Sequence, residues 1–261
     1  MSGQKAAFSR RALLAGGATA AAAMALPGLA GAIPLTPQQV KGPYYPLRRE
    51  LAARTGILRD RDLCRVGSRA GTATGTHLLL SGAVTDADGR PISGAVVEIW
   101  QACTSGRYLN AHDTRAGRPR DPDFQYFGVC PVDDEGRYAF RTLVPPEYPA
   151  GPPGWIRPPH IHVKVVLPDG APLITQMYFD DPANPANADI NLLLHRRDSI
   201  LNSVRPALRD LLVRPVTLLA DTLPQDGPGA ELVAGIGLAD FGDAARAVHF
   251  PIVPRSEIAL P

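Results

Sequence analysis

"HLLLSGAVTDADGRPISGAVVEIW", residues 77–100, is the stretch on which the fold of this chain turns. It reads as strand, tight turn, strand. An apolar run begins at His77. Asp86-Ala87-Asp88-Gly89-Arg90-Pro91 then supplies turn chemistry, and Val96, Val97, Ile99 and Trp100 bring strand-forming side chains. The pattern recurs downstream. "DDEGRYAFRTLVP" (133–145) turns at Asp134-Glu135-Gly136 and alternates Tyr138 with Phe140. "HIHVKVVLPDGAPLITQMYF" (160–179) is another strand-turn-strand, around Pro168-Asp169-Gly170, and "ARAVHFPIVP" (245–254) is a final strand. Only "DINLLLHRRDSILNSVRPALRDLL" (189–212) has helix-like stretches, interrupted by Pro206.

Many short strands separated by Gly and Pro turns predict an all-β chain: a β-sandwich of mixed short strands with long Pro/Gly-rich loops. The 27 prolines are about twice the usual frequency, which favours ordered loops over helices. Residues 33–75 read as an irregular N-terminal arm, with "PLTPQQVKGPYYPLRRE" and "GSRAGTATG" rich in turn formers. Residues 76–261 are expected to form the β-sandwich domain.

Residues 1–32 read as an export signal. "SRRALLAGGATAAAAMALPGLAGA" pairs Arg10 with Arg11 ahead of Leu13 and Leu14, continues Ala-rich, and ends in small residues suited to cleavage. The arginine pair resembles a twin-arginine signal, so a periplasmic or extracellular location is expected. A lasting membrane anchor fits less well, because Pro27 and Gly28 break an Ala- and Gly-rich segment. Removing Lys5, Arg10 and Arg11 with the signal leaves 24 basic against 25 acidic residues. That balance supplies no basic stripe and no reason to expect nucleic acid as a partner. Cys64, Cys103 and Cys130 allow one disulfide with a thiol left over, or three small buried residues, and spacing does not choose between them.

The chemistry is expected in "RPPHIHVKVV" (157–166). In a strand, residues i and i+2 face the same way, so His160 and His162 leave one face together while Ile161 and Val163 go to the other. Two neutral imidazoles side by side are either unfavourable neighbours or two ligands of one ion. Two tyrosines stand on loops that can reach them: Tyr108 in "TSGRYLN", after the Trp100 strand, and Tyr148 in "PPEYPAGPPGW", leading into the histidine strand. Phenolate is a hard anionic oxygen donor, and two of them point to ferric iron rather than zinc or copper.

Together these segments resemble the intradiol ring-cleavage dioxygenases, and among them the protocatechuate 3,4-dioxygenase β-type subunits. The resemblance is carried by "LSGAVTDADGRPISGAVVEIWQACTSGRY", "DDEGRYAFRTLVPPEYP", "WIRPPHIHVKV" and "LITQMYF", with "TPQQVKGPYYP" and "RDLCRV" in the arm. It implies Fe(3+) bound by Tyr108, Tyr148, His160 and His162. Tyr148 would be displaced by substrate, and Tyr108 would stay bound. Arg157 would stabilise developing negative charge beside the metal, Gln176 would support it from the neighbouring strand, and Tyr44 or Tyr45 would wall the substrate pocket. The activity implied is cleavage of a catechol-type ring between its two hydroxylated carbons to a cis,cis-muconate derivative. Catechol-type small molecules and dioxygen are the partners implied, with room for a homo-oligomer. Ala150, where that subunit type has an aromatic, and Cys103, after Trp-Gln-Ala, depart from the pattern.

Two other readings stand beside this one. "GAVTDADGRPISGAVVEI" alone is common to transthyretin-like β-sandwich binding modules without catalysis. A zinc hydrolase using His160 and His162 lacks an acidic general base at suitable spacing. His77, His195 and His249 read as structural or surface residues, His112 as a neighbour of the pocket, and Tyr126, Tyr138, Tyr178, Trp100 and Trp155 as packing.

Overall fold

The computed structural model describes residues 32–52, 60–151, 153–180, 193–219, 236, 241 and 245–255. The export signal and the start of the helix-like stretch at 189–192 fall outside these residues. The described regular elements are strands with a few short helices. They run α1 (Arg48–Ala52), β1 (His77–Ala83), β2 (Val96–Trp100), β3 (Phe127–Pro131), β4 (Arg137–Leu143), β5 (Tyr148–Pro149), β6 (Ile156–Arg157), β7 (His160–Val166), β8 (Pro172–Asp180), α2 (Ser199–Asn202), α3 (Pro206–Arg209), β9 (Val213–Leu218) and β10 (Arg246–His249). Eight strands form one sheet in the order β3-β2-β7-β8-β9-β10-β1-β4, while β5 and β6 pair separately. The chain is all-β.

The stretch 77–100 behaves as strand, turn, strand, but its two strands are not partners. Asp86 N–H donates to Arg90 O at 2.9 Å and Ile92 N–H to Val84 O at 3.0 Å, so the turn closes locally. Gly89 at its tip has φ +83°, which favours a residue without Cβ. Beyond it β2 crosses to pair with β3 and β7, while β1 pairs with β4 and β10. The turn before Arg137 makes the same crossing, from β3 to β4. Only β7 and β8 form the simple hairpin that their sequence predicts, from His160↔Tyr178 to Val166↔Pro172.

The arm closes what these crossings leave open. Segment 60–64 lies between the outer strands. It accepts Val129 N–H at Asp60 O (3.0 Å) and Gln125 N–H at Leu63 O (2.8 Å) on one side, and Arg141 N–H at Arg61 O (2.8 Å) on the other. Backbone groups of both edge strands are thereby paired rather than left as templates for another chain.

Alternation decides what is buried. In β7, Ile161, Val163 and Val165 enter the main core with Leu78, Leu80, Val97, Ile99, Phe140 and Met177. Each such side chain contributes about 1.5–3 kcal/mol by leaving water. His160 and His162 take the opposite face, beside a second buried cluster of Trp100, Ala102, Tyr108, Phe127, Val129 and Tyr148. The helix-like stretch is broken at Pro206 as expected: α2 ends at Asn202 and Pro206 opens α3, at a position where its missing N–H costs nothing. Cys64, Cys103 and Cys130 are all buried free thiols.

Candidate metal centre

The face of β7 that carries the histidines is continued across the sheet by register. Trp100 stands opposite His162 on β2, and Gln176 and Tyr178 stand opposite His162 and His160 on β8. Cross-strand neighbours lie within side-chain reach, so four chemically distinct groups share one surface. The β5–β6 pair brings in the rest: Tyr148 is registered against Arg157. Tyr108 arrives on its loop, where Asp113 accepts its backbone N–H at 2.7 Å.

Three donor atoms converge on one point. The Tyr108 and Tyr148 hydroxyls each lie 3.2 Å from His160 Nε2, and 3.3 Å from each other. His160 Nδ1 is 2.7 Å from Pro158 O, so Nδ1 carries the proton and donates it there. That leaves the Nε2 lone pair for the tyrosines or for a cation. The His162 ring lies edge-on, 4.9 Å from that of His160.

Burial sets the protonation states. It raises Tyr108 well above the ordinary phenol range, and the neighbouring Tyr148 raises it further. Burial also raises Tyr148, against the opposing pull of Arg157, Tyr108 and Arg115. The imidazoles are held well below their ordinary range, by burial first and by the Arg157 charge second, with His162 adding to the effect on His160. Without a cation the centre is therefore two phenols and two neutral imidazoles. A metal ion reverses that balance for the phenols and finds the imidazoles already in their ligating form.

The donor set fits a metal ion, and its phenol oxygens suit a hard one. Donors about 2.0 Å from a common ion stand roughly 3.3 Å apart in a tetrahedral arrangement, which is the spacing observed. Among the described residues no group of three or more His, Cys, Asp or Glu side chains could hold a metal. An ion placed beside His160 Nε2 would have the two tyrosine oxygens within reach.

Arg157 and Gln176 sit beside these donors. Arg157 Nη2 donates to Gln176 Oε1 at 2.7 Å and to Tyr178 Oη at 3.1 Å, and Gln176 Nε2 donates to Val40 O in the arm at 3.0 Å. The two arm tyrosines separate. Tyr44 packs on Tyr108, with ring centroids 5.0 Å apart. Tyr45 turns away, edge-on to Trp100, and donates to Glu98 Oε2 at 2.7 Å.

A Dioxygenase family model matches residues 40–206, well over half the chain. This chain belongs to the intradiol dioxygenase family. It is 38% identical over 162 residues to the protocatechuate 3,4-dioxygenase beta chain of Burkholderia cepacia, covering 61% of this chain and 64% of that one. Over 115 residues it is 36% identical to the chlorocatechol 1,2-dioxygenase of Pseudomonas sp. (strain P51), covering 40% and 43%. The chain thus spans less than two-thirds of the length of these curated relatives. Among solved structures, the hydroxyquinol 1,2-dioxygenase from Pseudomonas putida DLL-E4 aligns with a TM-score of 0.56 at 22% identity, over 86% of this chain and 68% of that one. That likeness concerns the fold.

In this member of the family, sequence reasoning passed over four residues that surround the centre. Tyr178 and Trp100 read as packing, yet the Tyr178 hydroxyl joins the Arg157 network and Trp100 lies flat on His162. Asp198, inside a helix-like stretch, is buried and ion-paired with Arg157. Arg115 holds its guanidinium 4.6 Å from the Tyr148 ring centre and 5.5 Å from that of Tyr44, and pairs with Asp113. The strand partnership of β7 with β2 and β8 would have revealed the first two. The others come from segments remote in sequence, and no spacing announces them.

Proposed function

We propose that this chain is an exported non-haem Fe(III) dioxygenase that cleaves a catechol-type ring between its two hydroxylated carbons, giving a cis,cis-muconate derivative with both oxygen atoms of dioxygen incorporated. The observation that carries this reading is the convergence of Tyr108 Oη, Tyr148 Oη and His160 Nε2 within 3.3 Å in a buried site. Tyr108, Tyr148, His160 and His162 would hold the ion. When bound, ferric iron supplies Lewis acidity that favours the doubly deprotonated catechol and withdraws electron density from its ring.

The chain's own residues provide the remainder. Tyr148 lies on a two-residue strand beside Arg157, and its phenolate oxygen accepts a catechol proton as it withdraws. Tyr108 stays in place, because Asp113 pins its backbone and Tyr44 covers its ring. The Arg157 guanidinium, fixed by Gln176, Tyr178 and Asp198, is a preorganised positive charge for the anion that develops on the substrate.

Strand β9 gives Tyr178, Phe179 and Asp180 of β8 their partners through Val213–Pro215, then passes to β10 through Val216–Leu218. This hand-over supports reading the strands as two layers of a sandwich. Arg10 and Arg11 ahead of an Ala-rich stretch support export, which fractionation of cells expressing the full chain tests.

Activity is tested by oxygen uptake with catechol, protocatechuate and hydroxyquinol, and by mass spectrometry of products formed under 18O2. A red-brown ferric-tyrosinate colour and ring-opened product carrying both labelled atoms are expected. A colourless protein that consumes no oxygen would instead fit a non-catalytic transthyretin-like binding module.

A further inference from the structure

The two imidazoles of β7 are held by different physics. His160 is oriented by a hydrogen bond, from Nδ1 to Pro158 O at 2.7 Å. Among the described residues His162 has no such bond: its Nδ1 is buried and meets no partner there. Its ring is held by two packing contacts instead. On one side lies the Trp100 indole, with ring centroids 4.8 Å apart and planes 9° from parallel. At the Cε1 edge of the ring lies Gly42, where an added Cβ would stand 3.3 Å from His162 Cε1 and 3.9 Å from Nε2.

Neither contact is incidental. Trp100 faces His162 directly in the β2–β7 ladder, so strand register sets the stack. Gly42 has φ +72°, a conformation that disfavours any other residue. The arm is held at that depth by Gln39 N–H donating to Ile174 O at 2.8 Å and by Gln176 Nε2 donating to Val40 O at 3.0 Å. An imidazole stacked on one face and closely abutted at its edge loses rotational freedom without needing a polar partner. Such a grip does the orienting work that a hydrogen bond to the far ring nitrogen usually does for a histidine ligand.

We infer that Trp100 and Gly42 are positioning residues that clamp the His162 ring, so that the N-terminal arm is a structural part of the metal centre. The inference rests on the reading of His162 as a ligand in the proposed function, but the clamp itself can be observed with no metal present.

The test uses the full chain in two states. In metal-free protein with labelled histidine, the His162 Cε1–H resonance should be displaced by the Trp100 ring current. It should return toward the ordinary position in Trp100→Leu, while Trp100→Phe keeps much of the displacement. In iron-loaded protein, Trp100→Leu and Gly42→Ala should speed iron loss to a chelator by about 10- to 100-fold, with Trp100→Phe largely rescuing it. In a His162→Ala background, adding Trp100→Leu should produce no further acceleration. A His162 signal that Trp100→Leu leaves unmoved would overturn the clamp, as would equal acceleration with and without His162. Failure of the dioxygenase reading looks different: the wild-type chain would take up no ferric iron while the resonance shift persisted.

Discussion

Arg157 places two nitrogens, Nε and Nη2, on the same oxygen of Asp198, at 3.2 and 3.1 Å. The other oxygen, Oδ1, accepts Ile200 N–H at 3.1 Å and caps α2. One buried carboxylate thus fixes the arginine beside the site and starts the helix behind it. Removing a single partner of such a pair strands a buried charge, at a cost of about 3–5 kcal/mol. Asp198→Asn is expected to lose stability on that scale while retaining a capping oxygen. Asp198→Ala should lose about 1 kcal/mol more, for the cap. Urea unfolding of the two variants separates these contributions, and equal losses would deny the cap its part.

Tyr148→Phe removes one oxygen and leaves the ring in its place beside Arg115, whose guanidinium is 4.6 Å from the ring centre. Iron should be retained by Tyr108, His160 and His162, with a changed charge-transfer band. Substrate association should slow, because the oxygen that accepts the catechol proton is gone. Stopped-flow mixing with catechol reads this directly, and an unchanged association rate would remove Tyr148 from its leaving role.

His160→Ala takes away the atom to which both phenol oxygens are drawn at 3.2 Å. Iron content and visible colour should both fall to background, measured by metal analysis of the purified variant. Retention of a full equivalent of iron would show that His160 is not a ligand.

Much of this arrangement was legible because local rules and global fold agree. A period of two in "HIHVKVV" already separates His160 and His162 from Ile161, Val163 and Val165, and Pro168-Asp169-Gly170 supplies the turn that pairs β7 with β8. What was not legible depends on contacts made over long distances. Nothing local says that the strands on either side of the 86–91 turn part company, because the turn closes the same way whether or not they pair. Strand β9 escaped notice because Pro215 argues against a strand; it is tolerated where the strand changes partners, from Asp180 on β8 to β10. Asp198 and Arg115 gain meaning only when the sheet brings Arg157 and Tyr148 to them.

Acid should destabilise the metal-free chain in a window set by its histidines. His160 and His162 are buried with their proton affinities pushed well below the ordinary value of 6.5, mainly by desolvation and next by the Arg157 charge. Below pH 6.5 the unfolded chain binds protons at both positions and the folded chain does not, so stability is present above that pH and falls as pH drops. Each histidine contributes a slope of about 1.4 kcal/mol per pH unit once its unfolded form is charged. Urea unfolding midpoints at pH 7.5, 6.5 and 5.5 should therefore drop most steeply across the last interval. The double variant His160→Asn, His162→Asn should flatten that interval. Bound iron should raise the midpoints yet leave that interval at least as steep, since the folded rings hold no proton with or without the ion and unfolding returns protons to the tyrosines as well. A midpoint that stays level from pH 6.5 to 5.5 in the metal-free wild type would mean that the two rings are hydrated, and not buried as neutral ligands awaiting an ion.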